Sequence, residues 1–178
     1  MTSNAEQIGR DAIRITRRLP GPIERVWSHL VESDLRAKWI CAGDVEQKVG
    51  GRVEMRFDHD NLSPKPDDAP PEKYEDMPEK PTFAGTVTKC EPPHLLAHTW
   101  AGPDEDSEVE FTLAEDGDEV VLTITHTKIP SRFHRVGASA GWHVHLDILG
   151  EVLEGTTPAP FWRRYTPIEN DYDAHIER

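Results

Sequence analysis

Hydrophobic and polar residues alternate along several segments of the chain, with the period of two that is typical of half-buried β-strands. In the first segment, 12–19, Ile13, Ile15 and Leu19 share one side and arginine and threonine side chains share the other. The later segments with this pattern are 53–57, 82–90, 95–101, 107–113 and 119–127. Short turns containing glycine, proline or an Asp-Gly pair join the later segments. The pattern therefore predicts a meander of antiparallel strands.

The late segment 141–155 has helical periodicity instead. At about 100° per residue, Trp142, Leu146, Leu149 and Leu153 fall on one side with His145 beside them. This predicts a long helix over about 139–155 whose buried face carries one histidine. Two shorter helices are predicted after the first strand, over residues following Pro22 and over 34–39.

The order of these elements predicts an α+β fold with the helices on one face of an antiparallel sheet. A helix gripped by a curved sheet often leaves an apolar cavity between the two layers, which indicates small-molecule binding. We expect residues 1–11 to be an N-terminal tail and 12–155 to form one domain.

Two segments extend beyond this core pattern. The stretch 59–81 is acidic and rich in proline, which predicts a solvated insertion loop, with a flap over the pocket as the alternative. The extension 156–178 contains an apolar set too large to leave in water: Phe161, Trp162, Tyr165, Ile168, Tyr172 and Ile176. Its spacing predicts a last helix that docks on this domain or on a second subunit. Intramolecular docking is the preferred interpretation, and a homodimer is the alternative.

Charge and composition exclude several classes of partner. The formal net charge is −13, which opposes binding to nucleic acid because phosphate contacts need clustered lysine and arginine. No apolar stretch approaches the roughly 20 residues that span a bilayer, and the N-terminus lacks the features of a signal peptide. We therefore expect a cytoplasmic protein with no membrane insertion. Cys41 and Cys90 lack metal-site or disulfide spacing and are expected to be reduced thiols.

Several short motifs, in order, resemble those of the family of activator of heat-shock-chaperone ATPase homologue-like proteins. They are 22–27 (PIERVW), Trp39 with the downstream Gly50-Gly51 pair, 98–100 (HTW), 107–109 (SEV), Thr125-His126, and Gly141-Trp142 with 145–147 (HLD). This family lies within the helix-grip superfamily, with START lipid-transfer domains and Bet v pollen allergens.

The resemblance implies a curved antiparallel sheet of about seven strands wrapped around a long C-terminal helix, with two short helices after strand one. It also implies a cavity between sheet and helix, but no shared catalytic residue. It does not by itself imply a chaperone regulator, because the co-chaperone that named the family looks to need a separate N-terminal domain, and we expect no such domain before Ala12.

The alternation along the strands and the periodicity of the long helix predict a set of inward-facing aromatic, histidine and leucine residues. We hypothesise that imidazoles orient a polar ligand head while aromatic rings contact its apolar body. Each of these residues could equally be ordinary core packing. The candidate ligand-binding residues are Trp39, Phe57, His98, Trp100, Phe111, His126, Trp142, His145, Leu146 and Leu149.

Two other function classes stay open. An enzyme would use His126 or His145 as a general acid or base, since no nucleophile with a partner base is readable. A protein-interaction or stress-associated module would use the acidic runs 104–106 and 115–119. No metal or cofactor is expected, because His143 and His145 are about 200° apart on the helix and no carboxylate or thiol accompanies the other histidines at metal-site spacing.

Overall fold

The computed structural model describes residues 3–100 and 107–178, and its largest element is a curved antiparallel sheet. The sheet has seven strands in the order β1-β2-β7-β6-β5-β4-β3. The strands are β1 (Glu6–Gln7), β2 (Ile13–Pro20), β3 (Arg52–Arg56), β4 (Thr82–Glu91), β5 (Leu95–Thr99), β6 (Glu108–Asp116) and β7 (Glu119–Thr127). The predicted α+β helix-grip fold, with its meander of strands, is confirmed.

The strand boundaries differ from the predictions at several places, and β6, predicted over 107–113, continues to Asp116. Residues 6–7, within the predicted tail, pair with Ile13 and Arg14 as an additional edge strand. Strand β5 ends at Thr99. Outside the described residues lie the predicted strand end at residue 101, the following turn and the acidic run 104–106. The acidic turn at 115–119 is exposed, and Arg18 pairs there with Asp116 and Glu119.

Four α-helices accompany the sheet: α1 (Ile23–Val31), α2 (Ser33–Arg36), α3 (Arg132–Glu154) and α4 (Phe161–His175). The long helix α3 begins earlier than the predicted residue 139. Its N-terminus is capped by Ser131, whose hydroxyl oxygen accepts from the His134 amide at 3.3 Å. Its C-terminus is ended by Gly155 in the left-handed conformation, with φ of 75°.

The core lies between α3 and the concave face of the sheet. Leu146, Ile148 and Leu149 of α3 are fully buried there, together with Ile13 and Ile15 of β2. The short helices α1 and α2 close one end of the core, where the side chain of Trp39 is 1% exposed.

The C-terminal extension packs on its own chain as α4, against α3. A polar network fixes the contact: Arg17 of β2 pairs with Asp147 of α3 at 3.2 Å, and His143 lies 3.5 Å from the same carboxylate. The Tyr172 hydroxyl of α4 accepts from the Ala5 amide at 2.6 Å and lies 2.9 Å from Nδ1 of His143. The face of α3 that carries His143 and Asp147 therefore packs against α4.

The insertion 59–81 is not simply a solvated loop. It forms two short 3₁₀ helices, His59–Leu62 and Glu72–Tyr74, and the side chain of Leu62 is 3% exposed. Asp67 caps α4, since its carboxylate accepts from the Trp162 and Arg163 amides at 2.8 and 2.9 Å. Within the described part of the chain, no helix has the length and apolar character needed to cross a bilayer.

Candidate ligand-binding cavity

A cavity of about 850 Å³ lies where α3, the sheet, the insertion and α4 meet. This volume is within the range of about 300–1,000 Å³ that small-molecule sites occupy. One wall is the N-terminal half of α3, and the opposite walls come from strand ends, the insertion and the first turns of α4. The lining includes Phe57, His59, Lys73, Tyr74, Met77, Phe83, Trp100, His126, Phe133, Gly137, Ala138, Gly141, Trp142, His145, Phe161, Trp162 and Tyr165.

Three small residues form part of the α3 wall of this cavity. Gly137, Ala138 and Gly141 line it on one face of the helix. A Cβ atom added at Gly141 would meet no atom within 4 Å, and one at Gly137 would lie 3.7 Å from the Tyr74 and Tyr165 hydroxyl oxygens. Glycine inside a helix costs about 0.5–1 kcal/mol of stability relative to alanine. The helix thus leaves space at these positions where larger side chains would be more stable.

Aromatic rings form another part of the cavity wall. The Trp100 and Trp142 ring centroids are 5.0 Å apart, and Phe57 packs edge-on against Trp100 at 6.0 Å. Such packing places flat apolar surfaces around the cavity and gives each ring a fixed orientation.

His126 of β7 is the most unusual polar group in this wall. The Trp142 indole N–H donates to its Nδ1 at 3.1 Å, while its buried Nε2 has no hydrogen-bond partner among the described residues. Burial lowers the pKa of His126 to about 4, so the ring is neutral near pH 7. An unpaired buried polar atom costs about 1–3 kcal/mol and is uncommon in folded proteins.

His145 of α3 has the opposite arrangement. Its Nδ1 donates to the Trp39 carbonyl oxygen at 2.7 Å, because a carbonyl can only accept, and Nε2 is left as an acceptor. Burial lowers the pKa of His145 to about 3 and that of His59, which stacks on Phe161 with centroids 3.9 Å apart, to about 4. An effective general base has a pKa near the working pH, so these imidazoles are suited to hydrogen bonding rather than proton abstraction.

A buried carboxylate joins the insertion to α4 beside the cavity. Glu169, with its side chain 3% exposed, accepts from the Tyr74 and Tyr165 hydroxyls and pairs with Lys73 at 2.8 Å. The two hydroxyl oxygens are 3.0 Å apart. Burial raises the pKa of both tyrosines, so they remain protonated donors to the carboxylate. We call these four residues, Lys73, Tyr74, Tyr165 and Glu169, the insertion clasp.

The family model for activator of Hsp90 ATPase homolog 1-like proteins matches residues 20–154. The chain belongs to this family. A search of curated proteins finds no match.

Solved structures agree with this family membership and fold. A protein of Bordetella parapertussis, solved by solution NMR, is 36% identical, with a TM-score of 0.78 over 97% of this chain and 90% of that one. The crystal structure of CalU16 from Micromonospora echinospora is 25% identical, with a TM-score of 0.68 over 93% of this chain and 89% of that one. A conserved protein of unknown function from Enterococcus faecalis shares the fold at 19% identity, with a TM-score of 0.69 over 96% and 87% of the two chains.

Several of the residues proposed from the sequence line the cavity of this family member. They are Phe57, Trp100, His126, Trp142 and His145. The strand pattern places the side chains of the strand residues on the inner face of the sheet, and the middle of α3 brings Trp142 and His145 opposite them.

The other proposed residues are part of the closed core and do not line the cavity: Trp39, His98, Phe111, Leu146 and Leu149. Trp39 packs at the α1–α2 end and donates to the His29 carbonyl at 2.7 Å. The rings of His98 and Phe111 are stacked with their centroids 5.8 Å apart, and the Phe111 ring packs edge-on against Trp142 with centroids 5.7 Å apart. Leu146 and Leu149 lie further along α3, where helix and sheet are in direct contact.

The predictions missed the cavity residues contributed by the insertion, by α4 and by the first turns of α3. Of these, Gly137 and Gly141 could have been found, because two glycines one turn apart in a helix indicate a close approach or an open space. Tyr74, Met77 and Phe161 carry no comparable signal, since their position depends on contacts far apart in sequence.

No metal centre is found among residues 3–100 and 107–178, where no group of three potential ligands is suitably placed. Cys41 is buried beside Arg36, and burial raises the pKa of its thiol, which makes it a poor nucleophile. A second depression of about 830 Å³, between residues 4–10 and the end of α4, is lined by a mixture of polar and apolar side chains, among them Tyr172 and His175.

Proposed function

We propose that this protein binds a small, predominantly apolar molecule in the cavity between α3, the sheet and the insertion. The observation that carries the proposal is the pair of glycines on the cavity face of α3. Filling this space with alanine or larger side chains would stabilise the helix, and the glycines instead preserve a volume large enough for a ligand.

The character of the walls supports an apolar ligand. Trp100, Trp142 and Phe57 supply flat hydrophobic surface. Burial lowers the pKa values of His126 and His145, so these two rings are neutral near pH 7. The rim includes exposed apolar side chains, since Phe133 is 51% and Met77 is 47% exposed. Such residues at a cavity mouth favour the entry of a hydrophobic molecule.

A cavity-filling substitution tests the proposal. We expect the neutral fluorophore N-phenyl-1-naphthylamine to bind the wild-type protein with enhanced emission, and Gly141→Phe to weaken binding at least about tenfold, because the new ring occupies the ligand's space. Gly150→Ala is the matched control: Gly150 lies on the same helix outside the cavity, and an added Cβ would only contact Leu19 at 3.9 Å.

Circular dichroism and urea unfolding establish that each variant is folded. The absence of binding to the wild-type protein, or equal binding by wild type and a folded Gly141→Phe variant, would contradict the proposal. Cytoplasmic location and a homodimer remain predictions from the sequence.

A further inference from the structure

We propose that the ligand presents a neutral hydrogen-bond acceptor, of the ketone or quinone carbonyl class, to the Nε2–H group of His126. This inference rests on the proposed function and adds the chemistry of the ligand's polar end.

The tautomer of His126 follows from its partner. The indole nitrogen of Trp142 can only donate, so the His126 Nδ1 at 3.1 Å must accept. In a neutral imidazole the proton is then on Nε2. His126 therefore presents a donor, and its direction is fixed by a second buried side chain.

That donor lacks a hydrogen-bond partner in the part of the chain that the structure describes. The side chain of His126 is 4% exposed and lines the cavity, and Nε2 is buried without a hydrogen bond among residues 3–100 and 107–178. A polar hydrogen in this position is satisfied when the cavity contents include an acceptor. Hydrophobic contact with Trp100 and Trp142 would hold the apolar body of the same molecule.

The charge around the cavity favours a neutral acceptor over a carboxylate. The two lysines of the lining are already paired, Lys73 with Glu169 at 2.8 Å and Lys80 with Asp58 at 3.1 Å. One neutral N–H does not compensate for the removal of a carboxylate from water. A carbonyl oxygen needs only one or two hydrogen bonds and loses much less hydration.

A pair of probes that differ in one group tests this inference: 9-fluorenone, which has a carbonyl, and fluorene, which has a methylene at the same position. Dissociation constants for both are measured by tryptophan quenching on wild type and on His126→Phe. We expect the fluorene-to-fluorenone ratio of dissociation constants to fall about tenfold in the variant, while fluorene binding changes less than about threefold.

The outcomes separate the two proposals. If neither probe binds the wild type, the proposed function fails. If both bind and the ratio is the same in wild type and variant, ligand binding stands but the carbonyl inference is overturned, as it would be if a cavity water satisfied Nε2–H.

Imidazole ¹⁵N NMR of the wild-type protein decides the question if His126→Phe does not fold. The inference requires the Nε2–H tautomer of His126 and a shift of Nε2 on addition of fluorenone that fluorene does not produce. An Nδ1–H tautomer, or equal shifts with both probes, would overturn it.

Discussion

The insertion 59–81 is held against α4 by Glu169, and we predict that Glu169→Gln loosens the insertion without unfolding the sheet. The carboxylate is the centre of the insertion clasp, where it accepts two tyrosine hydroxyls and pairs with Lys73. Glutamine has almost the same shape, so the substitution removes the charge and leaves the packing of α4 in place.

The magnitude follows from the partners of the two carboxylate oxygens. A hydrogen bond to a charged acceptor contributes about 1.5–3 kcal/mol and one to a neutral acceptor about 0.5–1.5 kcal/mol, so each tyrosine bond weakens by about 1 kcal/mol. The Lys73 side chain is 42% exposed, and solvent screening limits its pair to at most about 1 kcal/mol. The total is about 2–3 kcal/mol. Even about 2 kcal/mol corresponds to about a 30-fold larger open population of the insertion.

Hydrogen exchange measures this opening directly. The reporter amides are those of Tyr74, Glu75 and Met77, which donate to carbonyls within the insertion at 2.8, 3.1 and 3.0 Å. We expect their exchange to accelerate about 30-fold in Glu169→Gln, while the paired amides of β6 and β7 keep their wild-type rates. Asp173→Asn is the matched control on the same helix, because Asp173 pairs with Arg132 at 2.6 Å and is 60% exposed.

Two results would contradict this prediction. Exchange of the insertion amides at the wild-type rate would mean that Glu169 does not hold the insertion. An equal acceleration in β6 and β7 would mean that the substitution acts on global stability instead.

Two further predictions concern stability. Gly141→Ala and Gly150→Ala should each raise the free energy of unfolding by about 0.5–1 kcal/mol, because both glycines are helical and have room for a methyl group. Urea unfolding measures this change. A lower free energy of unfolding for Gly141→Ala would argue against open space at Gly141. Burial lowers the pKa of His98 and His126 to about 4 and of His145 to about 3, so below about pH 6.5 the unfolded chain binds more protons than the folded one. The contribution of these neutral histidines to the free energy of unfolding should be fully present above that pH. The free energy of unfolding should then fall by about 1.4 kcal/mol per pH unit for each histidine as the pH drops toward 4. Urea unfolding at several pH values tests this, and a His98→Phe variant whose free energy of unfolding falls with the same slope as wild type would contradict it.

The fold could be predicted because sheet and helix each bury one continuous face. Alternation in segments such as Ile13–Pro20 reports which side chains face the core, and the leucines from Leu146 onward report the matching face of α3. The sequence pattern did not predict the part of α3 before residue 139, and the reason is physical. Its inner face borders a cavity, so Gly137 and Ala138 stand where a pattern of buried residues would show leucines.

The candidate site could be predicted only in part, since alternation gives the face of a strand and not the depth along it. His98 and His126 both face inward, but His98 stacks on Phe111 in the closed core while His126 lies at the cavity wall. The contribution of the insertion depends on contacts such as Tyr74 with Glu169, which are far apart in sequence and leave no local pattern.

Native mass spectrometry of the purified protein, beside organic extraction of the same sample, shows whether the cavity holds an apolar molecule. We expect a reproducible adduct that is released into the organic phase from wild type and from Gly150→Ala, and is lost from folded Gly141→Phe. An apo mass for the wild-type protein in repeated preparations, together with no uptake of added N-phenyl-1-naphthylamine, would contradict it.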